Sequence, residues 1–570
     1  MATYYWVGGA GTWSGTGNTQ FALTSGGAAT LLNPTSADVV NFDANSGTGT
    51  CTIASGATCD TLVAGGANIT IQLNVNFTAT SLLRVNAGTF NLNNNTATSG
   101  VITSNVNAVR TIAFGSSGKF VCTRTATSLT AVDFYNATTA ATLTGTPLVE
   151  FTGATIAGAS IGVQSDSATP SNPLSVKVSN GAGTFTFGSN FGFGSVDLTG
   201  FNGTLANTAF KVYGNLTIPS TTTLTAGTGT LTFSATSGTQ QITTNGKTLD
   251  FPITQNGVGG TVQLQDNLTM GSTRTYTLTN GALDLNNLTL SAGLFSSSNS
   301  NTRVIAFGTG NITTTGVGTV WNTASTTGFS YTGTPTVNIS NNSATATTVS
   351  TGAMIETRAL NFSYTTGTYT LTDTSAVYKS VNFTGFSGTI PNSTRIIYGG
   401  ATFSAGMTLT AGANITTFAA TSGTNNITTA AKTLDFPITF FGLGGTFSFQ
   451  DALTQGSTRA FTLTAGTVQF KASATSTTGV FATSGASQKF LQSTTPGTQA
   501  TLSQASGTVD VSHLTIQDNA AVGGATFNAY VDQGNVDAGN VEGWDFGISP
   551  IVGGAEYTYS MRSFTQSRRF

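Results

Sequence analysis

Four aspartates recur at matched places: Asp250 and Asp266 are answered by Asp435 and Asp451 in a later copy of the same stretch of sequence. A second acidic concentration, Asp510, Asp518, Asp532, Asp537, Glu542 and Asp545, lies towards the C-terminus. Such residues suit two chemistries. Two carboxylates flanking a sugar linkage can hydrolyse it, and several together supply hard oxygen ligands for calcium. The spacing favours neither. Residues that recur with a scaffold serve its turns and corners, and the C-terminal acids show no D-x-D-x-D-G run. The closing segment therefore reads first as a solvated, turn-rich coil, with a calcium site and a glycosidase pair as the alternatives. Between Leu285 and Leu434 the only acids are Glu356 and Asp373, too little for an acid/base pair. His513 is the single histidine and stands alone in a strand-like Ser512-His-Leu514, so a catalytic triad is not expected. Cys51, Cys59 and Cys122 have no metal-ligand spacing and read as small packed residues, a Cys51–Cys59 bridge being the alternative. The glycines at 257–260 open no helix and hold no phosphate-binding lysine. The sequence assigns no catalytic residue, no metal ligand and no cofactor.

The elements that would position these residues follow from composition. Of 570 residues only 7% are charged, with a net charge of −2, while Gly numbers 70 and Phe 37. Soluble domains carry about 25% charge, and helical bundles need Ala, Glu, Lys and Leu in abundance. Disorder needs few aromatics and high net charge. What remains is an all-β chain rich in turns. Nineteen basic residues spread over this length form no phosphate-binding stripe, so nucleic acid is not an expected partner. No apolar run reaches the roughly 18 residues of a membrane helix, and membrane insertion is not expected. The first basic residue is Arg84, so the N-terminus lacks the charged start of a secretory signal.

Repeats organise the chain. Residues 233–283 recur without a gap at 418–468, and VDLTGFNGTL at 196–205 answers VNFTGFSGTI at 381–390. A fainter copy aligns VRTIAFG from Val109 with TRVIAFG from Thr302, and the third copy fades after about Thr475. Within a copy, three- and four-residue segments such as Leu216-Thr-Ile218 and Val262-Gln-Leu264 alternate apolar with polar, the period of a half-buried strand. Gly-rich turns spaced by about 18–25 residues favour a stacked solenoid. The expected fold is an all-β, right-handed parallel β-helix, with tandem β-sandwich domains as the alternative. The expected divisions are a cap at 1–59, solenoid units at 60–247 and 248–432, a partial repeat with closing coil at 433–550, and a tail at 551–570. Flat Thr-x-Thr faces can bind ice, but here their spacing along the sequence is irregular.

Both ends depart from the repeat. Trp6 and Trp13 in YYWVGGAGTWSGTGN suit a cap over an open solenoid end and are one candidate docking site. The tail carries Arg562, Arg568 and Arg569 against Glu556 and is the other candidate, as a docking peptide. The opening WVGGAGTWSGTGNTQFALTSGG…PTSADVVNFDA resembles the first coil of β-helical surface proteins of phage virions and of autotransporter-type adhesins. The stretch VSHLTIQDNAAVGGATFNA…GNVDAGNVEGWDF is similar to the closing coil of solenoid-type phage structural and tail proteins. Together these cover about 100 residues.

The resemblance implies a non-enzymatic virion component: a tail fibre, spike or capsid decoration protein serving host-surface attachment. It further implies a homotrimer, contacts with other virion proteins, and a host glycan or receptor as ligand. Location in a virion assembled inside the host fits a chain without an export signal and with few cysteines. Two alternatives remain, a tailspike polysaccharide depolymerase and a bacterial surface adhesin.

Overall fold

Short alternating segments cannot bury their apolar faces singly, and the chain solves this by stacking them. In the computed structural model, residues 1–550 are described except 107, 125–129, 135–140, 154–158, 164–171 and 374–375. Among the described residues nearly every element is a short strand, and the only helical turns are 3-10 turns at Glu356–Arg358 and Val531–Gln533. The described strand pairs are parallel with one exception, between Thr3–Trp6 and Phe21–Ala22. The chain is a parallel β-solenoid, the expected fold, and not the alternative string of sandwiches.

Two compact units divide near Pro391: Met1–Pro391 with Gly406–Thr408, and Asn392–Ala405 with the chain from Leu409 onwards. In the first unit, Val196, Leu216, Ile242 and Leu264 stack in register, in unequal steps of chain that run unbroken through position 247. In the second, the strand Thr424–Thr428 pairs with Ile438–Phe449, which pairs with Ala460–Phe470. The sequence periods ending at 247 and 432 are therefore not structural breaks.

Inward positions build continuous ladders. Cys51, Ile71, Phe90 and Ile112 stack and are fully buried. Tyr276, Phe295 and Trp321 lie nearly parallel, with centroids 6.0 and 4.6 Å apart. In the second unit Phe418 stacks on Phe440 at 5.3 Å and Phe461 on Phe481 at 5.5 Å. Each such side chain contributes about 1.5–3 kcal/mol by leaving water.

Corners explain the asparagines. Asn93–Asn94 and Asn286–Asn287 adopt positive φ between 47° and 65°, a region Asn tolerates. Asn94 Oδ1 accepts the Ser116 amide at 2.7 Å and Asn287 Oδ1 the Thr309 amide at 2.9 Å, so each corner fastens the next lap. The faint first copy is thus the same corner, built twice.

The N-terminal cap is shorter than its expected 1–59. Val39–Phe42 and Gly49–Ile53 already take solenoid register with Cys59–Ala64 and Ile69–Leu73. Thr3–Trp6 and Gly11–Trp13 extend that register in parallel by one more lap, and the antiparallel Phe21–Ala22 closes the end.

Candidate functional site

The recurring aspartates hold turns. Asp250 Oδ1 accepts Arg274 Nε at 2.6 Å, and Asp435 repeats this with Arg459 at 2.6 Å. Asp266 accepts the amides of Thr244 and Asn245, and Asp451 those of Thr429 and Ala430. These carboxylates are committed to the backbone of the preceding lap or to an arginine of the next. Asp373, from the stretch poor in acids, accepts the Tyr378 hydroxyl at 2.7 Å.

The C-terminal acids are mostly dispersed. Asp518 accepts Asn540 Nδ2 at 2.6 Å and the Gly497 amide at 3.0 Å. Asp537 and Asp545 each accept the amide two positions on, of Gly539 and Gly547. Asp532 takes the Ser549 amide at 2.9 Å, and Asp510 takes Asn528 Nδ2 at 2.6 Å. Three of them share one locality. Desolvation, followed by the charges of Asp545, Asp510 and Asp532, pushes the Tyr530 hydroxyl's pKa up. Among the described residues no three of His, Cys, Asp and Glu converge on a metal-sized site. His513 sits at φ 53°, where a Cβ on Gly534 would lie 3.2 Å from its ring, and its Nδ1 has no hydrogen-bond partner.

The three cysteines are free and buried, so Cys51 and Cys59 are packed and not bridged. Desolvation pushes all three thiols up, Cys122 to about 11.

The tryptophans are placed differently from a docking surface. Trp6 and Trp13 are both fully buried. Trp6 stacks on Phe42 at 5.7 Å, Trp13 meets Phe77 at 5.5 Å, and Phe21 sets its edge against both indoles. Their rings plug the end of the core and are unavailable to a partner. Arg562, Arg568 and Arg569 lie outside the described residues.

Among the described residues, three almost wholly buried cations, Arg110, Arg303 and Lys489, escaped the reading of the sequence. Arg303 is fully buried, and among the described residues no carboxylate pairs with it. It donates to the carbonyls of Asn301 at 3.0 Å, Ser325 at 3.1 Å, Thr327 at 2.6 Å and Ser297, and lies 5.8 Å over the Phe329 ring. Arg110, its counterpart in the faint copy, binds the carbonyls of Ser104, Val106 and Ala108. Lys489 donates to the carbonyls of Gly485, Ser487 and Ser512. It stands one repeat further along than Arg303, so the third copy persists beyond Thr475 in structure although its letters fade. Burial lowers the pKa of all three, and carbonyl oxygens replace the lost water. Each cation opens a strand and gathers the loop before it. The signal was the shared T-R/V-R position at the head of an alternating run.

The outward faces are chemically uniform over several laps. Thr50, Thr70, Thr89, Thr111 and Thr142 stack lap upon lap, with Thr52, Gln72, Asn91, Ala113 and Thr144 two positions along. Further on, Thr289/Ser291, Asn311/Thr313, Thr336/Asn338, Asn361/Ser363 and Ser380/Asn382 form a second uncharged grid. Asn338 Nδ2 donates to Asn311 Oδ1 at 3.2 Å and Ser380 Oγ to Asn361 Oδ1 at 2.8 Å, so neighbouring laps are tied on the outside too. Spacing that is irregular in sequence becomes regular here because laps of different length share one register.

No protein-family model matches this chain, and neither curated proteins nor solved structures give a match.

Proposed function

We infer that the protein is a non-catalytic structural component of a phage particle, a fibre, spike or decoration protein that meets the host surface. The observation that carries this reading is the outward grid: two uncharged arrays of hydroxyls and amides on rigid, parallel-stacked laps. Such an array offers many weak hydrogen bonds to a polyhydroxylated surface such as a host glycan, and multivalency makes them count. The turn-holding roles of Asp250, Asp266, Asp435 and Asp451 support a structural over a hydrolytic reading.

Purified particles from the host test it. Antibody against the protein should decorate particles in electron micrographs, and soluble protein should compete with particles for adsorption to host cells. Recovery of the protein in the bacterial envelope, with none on particles, would replace this reading with the surface adhesin. Release of reducing ends from host polysaccharide, abolished by Asp532→Asn, would replace it with the depolymerase.

The threonine column favours a second reading. Five threonines in register on one face resemble a template for ordered water, and thermal hysteresis in a cooled solution would identify an ice-binding role.

A further inference from the structure

The first unit changes strand direction at its N-terminal end. Thr3–Trp6 lies parallel on Val39–Phe42, Phe21–Ala22 lies antiparallel on Thr3–Trp6, and Thr30 makes a further antiparallel bridge to Phe21. The amide of Thr30 donates to the Phe21 carbonyl at 2.9 Å, and that of Leu32 to the Asn18 carbonyl at 3.0 Å. Alternate residues of an antiparallel strand turn their backbone groups to opposite sides. With Thr30 and Leu32 turned inward, Ala29 and Leu31 turn outward, and among the described residues their amides and carbonyls bond to nothing. Residues 28–32 are the outermost backbone of this sheet, and such an edge is a template for another strand.

The edge carries none of the usual protections. Sheets guard their edges with charge, and no charged side chain occurs before Asp38. Leu31 is 65% exposed, and residues 28–31 are exposed throughout. The run is short, ending at Pro34, which has no amide to donate.

Symmetry selects the occupant. A second copy turned about a two-fold axis at Thr30 sets Ala29 of each copy opposite Leu31 of the other. The outward amides and carbonyls of both copies are then paired, and each Leu31 packs against an alanine across the junction. Such an isologous contact closes on itself and leaves no new edge. Identical uncharged surfaces meet without repulsion, whereas a charged partner would find nothing here to steer it. We propose that this end of the first unit is a dimer interface, in which residues 28–32 of two copies pair as antiparallel strands about that axis.

Sedimentation of the full-length protein tests this. The wild type should pass from monomer to dimer between about 1 and about 100 µM, the range of a small interface. At the upper concentration the amides of Ala29 and Leu31 should exchange at least about tenfold more slowly than at the lower one. Leu31→Lys and Leu31→Asp, at an exposed position, should each remain monomeric, because like charges then meet across the axis. An equimolar mixture of the two should associate again, which a folding defect would not allow. A wild type that stays monomeric, or that assembles in threes, would overturn the proposal. So would association that both variants retain, a mixture that stays monomeric, or protection of Ala29 and Leu31 that does not change with concentration.

Discussion

The second copy of the repeat carries a strained corner that the first copy lacks. Asn245 and Gly246 occupy φ 49° and 76° in the first unit, whereas Ala430 and Ala431 stand at the matching places in the second with φ 52° and 57°. An L-residue with a Cβ in this region costs about 1–2 kcal/mol. Glycine at 431 relieves that and returns about 0.4–1 kcal/mol to the unfolded chain, a net gain of about 0.5–1 kcal/mol. A Cβ at Gly246 meets nothing within 4 Å, so the difference is backbone strain rather than crowding. Asparagine at 430 adds a bond like that of Asn245 Nδ2 to the Ile218 carbonyl at 2.9 Å, worth about 1 kcal/mol. The double variant Ala430→Asn/Ala431→Gly should therefore stabilise its corner by about 2 kcal/mol, or roughly 30-fold in local opening at about 1.4 kcal/mol per tenfold. Native-state hydrogen exchange of 424–450 reads this directly, and avoids treating two units as one two-state transition. The reverse exchange, Asn245→Ala/Gly246→Ala, should lose a similar amount in the first unit. Unchanged or faster exchange in the first variant would refute the argument.

Replacing Arg303 by Ala leaves four carbonyls without their donor and should destabilise the first unit by about 3 kcal/mol or more. Arg303→Lys should cost less, since Lys489 serves three carbonyls in the second unit, and denaturant midpoints of the pair give the comparison. The Thr35 hydroxyl and then the Ala2 amide hold Asp38 below the usual carboxylate pKa of 3.8. Its contribution is therefore complete above that value and is lost as pH falls through the depressed one. Acid should loosen the N-terminal strand first, measured by exchange at residues 2–6, and Asp38→Asn should remove that pH dependence. Native protein should leave a thiol reagent unconsumed at pH 8 and titrate three thiols once unfolded, because Cys51, Cys59 and Cys122 are buried and their thiolates disfavoured.

The architecture was legible because a solenoid writes its core as period-two alternation and its corners as Asn and Gly, one lap after another. The structural role of Asp250 and Asp266 was legible for a related reason, since they travel with the repeat. Trp6 and Trp13 read both as cap material, which they are, and as a docking surface, which they are not. An aromatic at a chain end looks the same whether it plugs the core or faces solvent, and only the Phe21 strand folding back decides. The polar grids were hidden because laps of unequal length scatter their threonines irregularly along the chain. Arg303 and Lys489 were hidden because sequence does not show which carbonyls a loop will turn inward.

That tolerance of unequal laps has an evolutionary consequence. Leu216 and Ile242 stay in register although more chain separates them than separates Val196 from Leu216. Surplus chain is therefore taken up between the strands that keep register, where Gln240 and Gln241 still bond the preceding lap at Val212, Gly214 and Asn215. A molecule built this way can acquire new loops, and with them new things to touch, without renegotiating the frame that presents them.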